Sequence, residues 1–277
     1  MKIHSITSLI SLPFVIAAFY YGYLTFVLDD PNTFIYFFIV ILITIILHVF
    51  FPQIDYYWYS KHPQRLQDKE QEILRLTSTY YNSLSEEDKK IFENRVYIFM
   101  RAKEFKWVRE EQKNLPIDMK LIIAANAIQL TLRKEDFLYD KYDYYFAYNH
   151  PFPTPEMQFL HSVEVNHEDK MAIFNIEYLM QAQNVNNKIF NIGLFAFAEI
   201  FLKLNSKITL SSIDKNQFWH DMEKVSGISR DSVINHIGYE PSSLYPVMIT
   251  IFFMFPKSFE ALFPKRFEEF SNVFLKK

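Results

Sequence analysis

The sequence contains no cysteine and only four glycines among its 277 residues. The missing thiols exclude disulfides, cysteine-ligated zinc, iron–sulfur sites and thiol nucleophiles. At the usual ~7% a chain of this length would hold about nineteen glycines, so the clustered glycines of a dinucleotide fingerprint or a phosphate loop are excluded. The Gly-x-Ser-x-Gly elbow of a serine hydrolase is absent as well. There is no excess of positive charge. The 29 Lys and Arg against 32 Asp and Glu leave a net charge of -3, without the basic footprint of a nucleic-acid binder, so no nucleic-acid partner is expected.

Charge is also missing locally. Residues 1–53 carry only Lys2, Asp29 and Asp30, and every other charge of the chain lies beyond them. What fills this segment is two uncharged apolar stretches, Leu9 to Leu28 and Phe34 to Phe51. A spanning helix needs roughly 17–25 apolar residues, and both qualify. Asp29-Asp30-Pro31-Asn32-Thr33 between them reads as a tight polar turn. The expected domain order is therefore a transmembrane helical hairpin over 1–53 (spans about 9–28 and 34–51), a juxtamembrane linker or helix over 54–72, and a globular part over 73–277. A cleaved signal peptide is disfavoured, because the charged start is a single lysine, no small-x-small site follows, and a second span comes directly after.

Lysine and arginine placement sets the expected orientation. The turn has neither, whereas Lys2 precedes the first span and Lys61, Arg65 and Lys69 follow the second. The positive-inside bias places both termini in the cytoplasm and the protein in the cytoplasmic membrane. Tyr56, Tyr57, Trp58 and Tyr59 form an interfacial aromatic belt at the end of the second span. The lipid bilayer is thus one expected partner.

The remainder reads as α+β and mostly helical. Helices are expected over 64–81, 86–101, 116–132, 176–182, 188–204 and 242–255, followed by two short amphipathic helices after Pro256 and Pro264. Strands are expected over 144–148 and 171–175. Ser85 with Glu86, Glu87 and Asp88 has the form of a capped helix start. No internal repeat or low-complexity tract is present.

Several stretches between Ile73 and Phe274 resemble the Mlc titration factor A family of zinc-dependent peptidases, of the zincin class. They are Leu115-Pro116-Ile117-Asp118-Met119-Lys120-Leu121-Ile122-Ile123-Ala124-Ala125 in the opening helices, and Tyr144 to Phe152 as the aromatic strand and turn. His161-Ser162-Val163-Glu164-Val165-Asn166 is similar to the family's His-x-Gly-Glu-Val-Asn, and Asn191-Ile192-Gly193-Leu194 to the Asn-Leu-Gly-Leu before the zinc helix. The resemblance implies a zincin-like domain with His-Glu-x-x-His next. Histidines at i and i+4 would aim two nitrogens at one zinc, and the glutamate would take a proton from zinc-bound water.

This chain has Phe195-Ala196-Phe197-Ala198-Glu199 there. On the same alignment the acidic positions of a later helix become Ser243 and Thr250. Phe195, Ala196, Glu199, Ser243 and Thr250 are therefore the degenerate zinc-site positions, and no metal or other cofactor is expected. Phe195 is expected to plug the vacated site, and Glu199 to be a partly exposed helix carboxylate or one paired with a lysine or arginine, with an anchor for a bound partner's cation as the alternative. The histidines, His161, His167, His220 and His236 among them, are expected at the surface or in turns. The function so implied is a membrane-anchored, non-catalytic module that binds a protein or peptide on the cytoplasmic face. Two alternatives stand beside it: a metallopeptidase with a relocated zinc site, and a structural subunit of a membrane assembly led by its hairpin.

Overall fold

A computed structural model describes residues 6–108, 115–183 and 189–276, with the side chains of residues 52 and 60 excepted. The chain forms two compact units, residues 1–64 and 65–277. The expectations for Lys2, Lys188 and Lys277 fall outside the described residues.

In the first unit, α1 (Ile6–Phe26) and α2 (Phe34–Val49) are joined by one 3-10 turn, Pro31–Thr33. Both helices are long and apolar enough to cross a membrane, counting the turn with α2. Their 21 and 16 residues correspond to about 31 and 24 Å at 1.5 Å per residue. They pack against each other through aromatic pairs, Tyr21–Tyr36 at 5.7 Å and Phe26–Phe37 at 5.3 Å. Gly22 makes room for the Phe37 ring, which a Cβ would meet at 3.1 Å.

Polar groups gather at the two ends of this pair. At the turn, Asp30 accepts from the Asn32 amide at 3.0 Å, and the Thr25 and Thr33 hydroxyls are 2.7 Å apart. At the other end Asp55 accepts from both the amide and the hydroxyl of Thr7, at 3.0 and 2.8 Å, placing an acid on a helix N-terminus. Asp55 lies on α3 (Phe51–Lys61), which takes the first part of the segment expected over 54–72 as juxtamembrane linker or helix. Mid-span, the Thr44 hydroxyl donates to its own helix at Val40 O, 2.8 Å away, which satisfies it inside an apolar stretch.

The second unit is helical around a small sheet. The single helix expected over 64–81 divides into α4 (Asp68–Thr77) and α5 (Thr79–Ser83). Ser78 is extended, and its hydroxyl accepts from the Tyr81 amide at 3.1 Å, so a capping residue restarts the helix. Helix α6 (Glu86–Ala102) begins as expected, with Ser85 Oγ accepting from the Asp88 amide at 3.2 Å. Helix α7 (Ile117–Thr131) is buried continuously from Leu121 to Thr131.

The sheet has strands β1 (Glu104–Trp107), β2 (Tyr144–Tyr148), β3 (Val163–Asn166) and β4 (Met171–Asn175), in the order β1-β2-β4-β3. The β1–β2 and β2–β4 pairs are parallel, and β3 runs antiparallel to β4, with Val163 opposite Phe174 and Asn166 opposite Met171. Strands β1 and β3 were not anticipated, being four residues each, too short for alternation to register.

Helix α8 (Ile176–Gln181) leads towards α9 (Ile192–Leu204). Asn191 caps α9 by accepting from Gly193 N at 2.9 Å and Leu194 N at 3.1 Å, while its own amide donates to Asn126 Oδ1 of α7 at 2.9 Å. A Cβ on Gly193 would lie 2.6 Å from Leu179 Cδ1 and 2.9 Å from Asn126 Cγ, so glycine sets the close approach of α9 to α7 and α8. Two further unanticipated helices, α10 (Lys215–Ser226) and α11 (Arg230–Ile237), end in left-handed glycines, Gly227 and Gly238. Helix α12 (Tyr245–Met254), buried from Pro246 to Met254, packs on α9. Helices α13 (Pro256–Leu262) and α14 (Pro264–Phe270) close the domain through rings around Phe252, including Phe259 at 5.6 Å and Phe270 at 5.4 Å.

Candidate functional site

Helix α9 is apolar on nearly its whole circumference, and Ile192 through Ala198, Ile200 and Phe201 are all buried. Phe197 enters the aromatic cluster beneath the sheet, 5.1 Å from Tyr139, 5.6 Å from Tyr145 and 6.1 Å from Phe174. Phe195, at 1% exposure, points elsewhere, its ring 5.9 Å from Phe190. Ala196 is fully buried. The next turn breaks the pattern. Glu199 keeps 28% of its side-chain surface exposed, with Oε1 3.4 Å from His167 Nε2.

The two later positions do not join this pair. Thr250 is fully buried on α12, its hydroxyl donating to Pro246 O at 2.8 Å. Ser243 is exposed before α12 begins. No hydrogen bond or ion pair among the described residues connects either one to Glu199. The zinc that the resemblance implies does not fit these residues. Phe195 and Ala196 carry no ligand atom, the Thr250 hydroxyl is committed to its own helix, and a catalytic zinc takes three protein ligands. Among the described residues no group of three or more histidines, aspartates or glutamates is placed to hold a metal ion.

The structure brings together a different set, around the ends of β3. Following that strand, Asn166 Oδ1 accepts from Glu168 N at 2.9 Å and Asp169 N at 2.8 Å. This local turn fixes His167 at the strand end. His167 Nδ1 lies 2.6 Å from the Tyr142 hydroxyl. Burial, and then the charge of Glu199, raise the Tyr142 pKa. Glu199 is a partly exposed carboxylate, and its ion-pair partner among the described residues is an imidazole and not a lysine or arginine.

Preceding β3, His161 is completely buried and Glu164 nearly so, which corrects the surface-or-turn expectation for His161, while His167 lies in the turn after β3 and His220 is exposed. His161 Nε2 is 3.0 Å from Glu164 Oε2, and its Nδ1 is 2.9 Å from Phe159 O. Thr154 donates to the same Glu164 oxygen at 2.6 Å. Burial pushes the Glu164 carboxyl up, but the hydrogen bonds from His161 and Thr154 outweigh it, and the net result lies below the ordinary carboxylate value. The backbone here is held from outside the strand: Phe152 and His161 exchange both hydrogen bonds, and Ser162 N donates to Ile237 O at 2.8 Å. Gly238 completes this contact, since a Cβ on it would sit 2.3 Å from His161 Cα. Tyr239 follows, its pKa raised by burial and then by the charges of Glu199 and Glu164 together, so both acids act on one region beside β3.

The architecture is that of a mostly helical α+β domain whose sheet ends in an antiparallel edge strand beside one apolar helix. A sequence model of the family described as glucose-regulated metallo-peptidase M90 matches residues 57–174, from within α3 to the last residue but one of β4. The match supports the family seen in the sequence resemblance, and it stops before α9. No curated protein matches the chain.

Proposed function

We propose that this protein is a membrane-tethered relative of the M90 metallopeptidases that binds peptide or protein segments and does not cleave them. The observation that carries this reading is the state of α9. Phe195 and Ala196, where the resemblance expects a zinc ligand and the general base, are packed into the core at 1% and 0% exposure. A site filled by its own side chains has no room for metal, water and a scissile bond. What remains is the edge strand β3 beside α9, bonded to β4 on one side, with Val163 and Glu164 buried and Val165 and Asn166 half-buried. Strand addition to such an edge relies on main-chain hydrogen bonds and needs no metal. The two apolar helices of the first unit are the tether, with both termini on the cytoplasmic side, and the tether raises the local concentration for partners at that membrane.

The test uses the full chain reconstituted in nanodiscs. Metal analysis is expected to find zinc far below one per chain. Casein and peptide-library digestions are expected to show no chelator-sensitive cleavage, while peptides from a random display library are retained. Near-stoichiometric zinc with chelator-sensitive cleavage would overturn the proposal, as would failure to retain any peptide.

A further inference from the structure

The other edge of the sheet is strand β1. It stands at the end of the order β1-β2-β4-β3, and β2 is the element it chiefly packs against. Glu104 N donates to Asp143 O at 2.8 Å and Val108 N to Ala147 O at 3.2 Å, so the backbone groups of Glu104, Lys106 and Val108 turn towards β2. Successive residues of a strand alternate, and the amide and carbonyl groups of Phe105 and Trp107 turn the other way. Outside the β1–β2 ladder, no backbone hydrogen bond among the described residues engages Phe105 or Trp107. Phe105 is buried because its ring turns under the sheet, stacked on Tyr145 at 5.6 Å. Glu104 and Lys106, on the opposite face, keep 55% and 54% of their side chains exposed. An edge of this kind is a template for another strand.

The charges on the edge select that strand. Glu104 and Lys106 are two residues apart on one face and pair with each other at 2.6 Å. An exposed pair of this kind contributes little, and either side chain can exchange it for an equivalent one. Charges of one sign on an edge deter pairing, but here both signs alternate. An antiparallel partner that complements them needs a base opposite Glu104 and an acid opposite Lys106. Strand β1 read backwards supplies both. With a two-fold axis at Phe105, the Phe105 residues of two copies exchange both hydrogen bonds. The flanking pairs then set Glu104 of each copy against Lys106 of the other, with Cα atoms about 4.5 Å apart. Moving the axis to Lys106 would oppose two ammoniums, which disfavours that register.

We infer that β1 is the contact through which two copies of this chain associate, antiparallel and edge to edge, so that one four-stranded sheet continues into the next. The contact is self-complementary, as a two-fold interface requires, and it stands apart from peptide binding at β3. A contact four residues long is small beside the roughly 1,200–2,000 Å² of a stable interface. The association therefore depends on the first unit, whose apolar helices hold the copies in one membrane and raise their effective concentration.

The test is association of the full chain in phosphatidylcholine vesicles at high lipid-to-protein ratio, read by energy transfer between donor- and acceptor-labelled copies. Wild type, Glu104→Lys and Lys106→Glu are compared. The wild type is expected to associate. Each variant alone should associate at least about tenfold more weakly, since two opposite-charge pairs become two like-charge pairs. Mixing the two variants should restore the wild-type signal, because the bases of one then face the acids of the other. A merely structural role for the Glu104–Lys106 pair within one chain predicts no such recovery. Both positions are exposed, and thermal melts within a few degrees of wild type show that the variants are folded. A wild type that does not associate would overturn the inference. So would single variants that associate as the wild type does, which would move the contact to the helices of the first unit, and so would a mixture that fails to recover.

Discussion

Phe195→Ala separates a filled core from an open groove. Phe195 is 1% exposed, lies between the buried Leu194 and Ala196, and meets Phe190 at 5.9 Å between ring centres. Truncation removes nearly a whole aromatic ring from a site whose walls are helices α9 and its neighbours, held by the Asn191–Asn126 hydrogen bond at 2.9 Å, so the walls have little freedom to close. Phenylalanine-to-alanine changes of this kind cost about 3–5 kcal/mol. For a domain the size of residues 65–277, that corresponds to a fall in Tm of roughly 6–20 °C. The assay is urea unfolding of this fragment followed by the fluorescence of Trp107 and Trp219, with the midpoint falling and the m-value unchanged. Phe195→Leu, which keeps most of the volume, should lose less than about 1.5 kcal/mol. A loss below about 1 kcal/mol for Phe195→Ala would mean that the ring lines a groove open to solvent, and the argument that α9 is closed would fall.

Glu164 predicts a pH dependence. Its carboxyl lies below the ordinary value of 4.5, so its contribution to stability is full above that value and is lost as pH falls through the depressed one; Glu164→Gln should flatten the acid limb of stability against pH, and an unchanged limb would refute the assignment. Gly238→Ala should destabilise the domain by more than about 2 kcal/mol, combining the left-handed φ of 97° with a Cβ 2.3 Å from His161 Cα; a neutral result in the same urea assay would show that the α11 end and the His161 segment are not locked together. The triple variant Phe195→His, Ala196→Glu, Glu199→His should not acquire chelator-sensitive proteolysis, because the buried Thr250 and exposed Ser243 supply no third ligand; measured cleavage would reveal a ligand elsewhere. Reporter fusions after Thr33 should read the outside of the membrane and fusions at Lys277 the cytoplasm, and the reverse pattern would refute the orientation.

Legibility in the sequence followed the strength of local signals. Spans of uncharged residues announced α1 and α2, Ser85 with its acids announced α6, and the aromatic run 144–148 announced β2, because each carries its cause in consecutive residues. Helices α10 and α11 were missed although Gly227 and Gly238 mark both ends in the left-handed region; their mixed polarity gave no clean apolar stripe. Strand β3 was missed because it is four residues long and both Val163 and Glu164 are buried, so nothing alternates. The resemblance directed attention to α9 and suggested Phe195 as a plug. It did not foresee the His167–Glu199 contact, which joins residues 32 positions apart through a turn, a sheet and a helix. Tyr142 and Tyr239 were equally invisible, since an aromatic residue in a chain with 18 tyrosines carries no sign of what its hydroxyl touches. The His161–Glu164 pair was written in the sequence as neighbours, but residues three apart on a regular strand point to opposite faces. The irregular backbone at Ser162, drawn to Ile237, brings them together.

These observations bear on how stability and function are divided in the domain. In a structural or catalytic metal site, ligands must be deprotonated and held, so part of the folding free energy is metal-binding free energy. In this chain, on the proposed reading, α9 obtains its position from burial alone: Phe195, Ala196, Phe197 and Ala198 are all at or near zero exposure, and the cap at Asn191 fixes the start. A helix anchored by packing does not depend on Glu199 for its place. Glu199→Gln should then leave the fold intact, with a change within about 0.5 kcal/mol in the urea assay; a larger loss would show that the helix depends on this carboxylate.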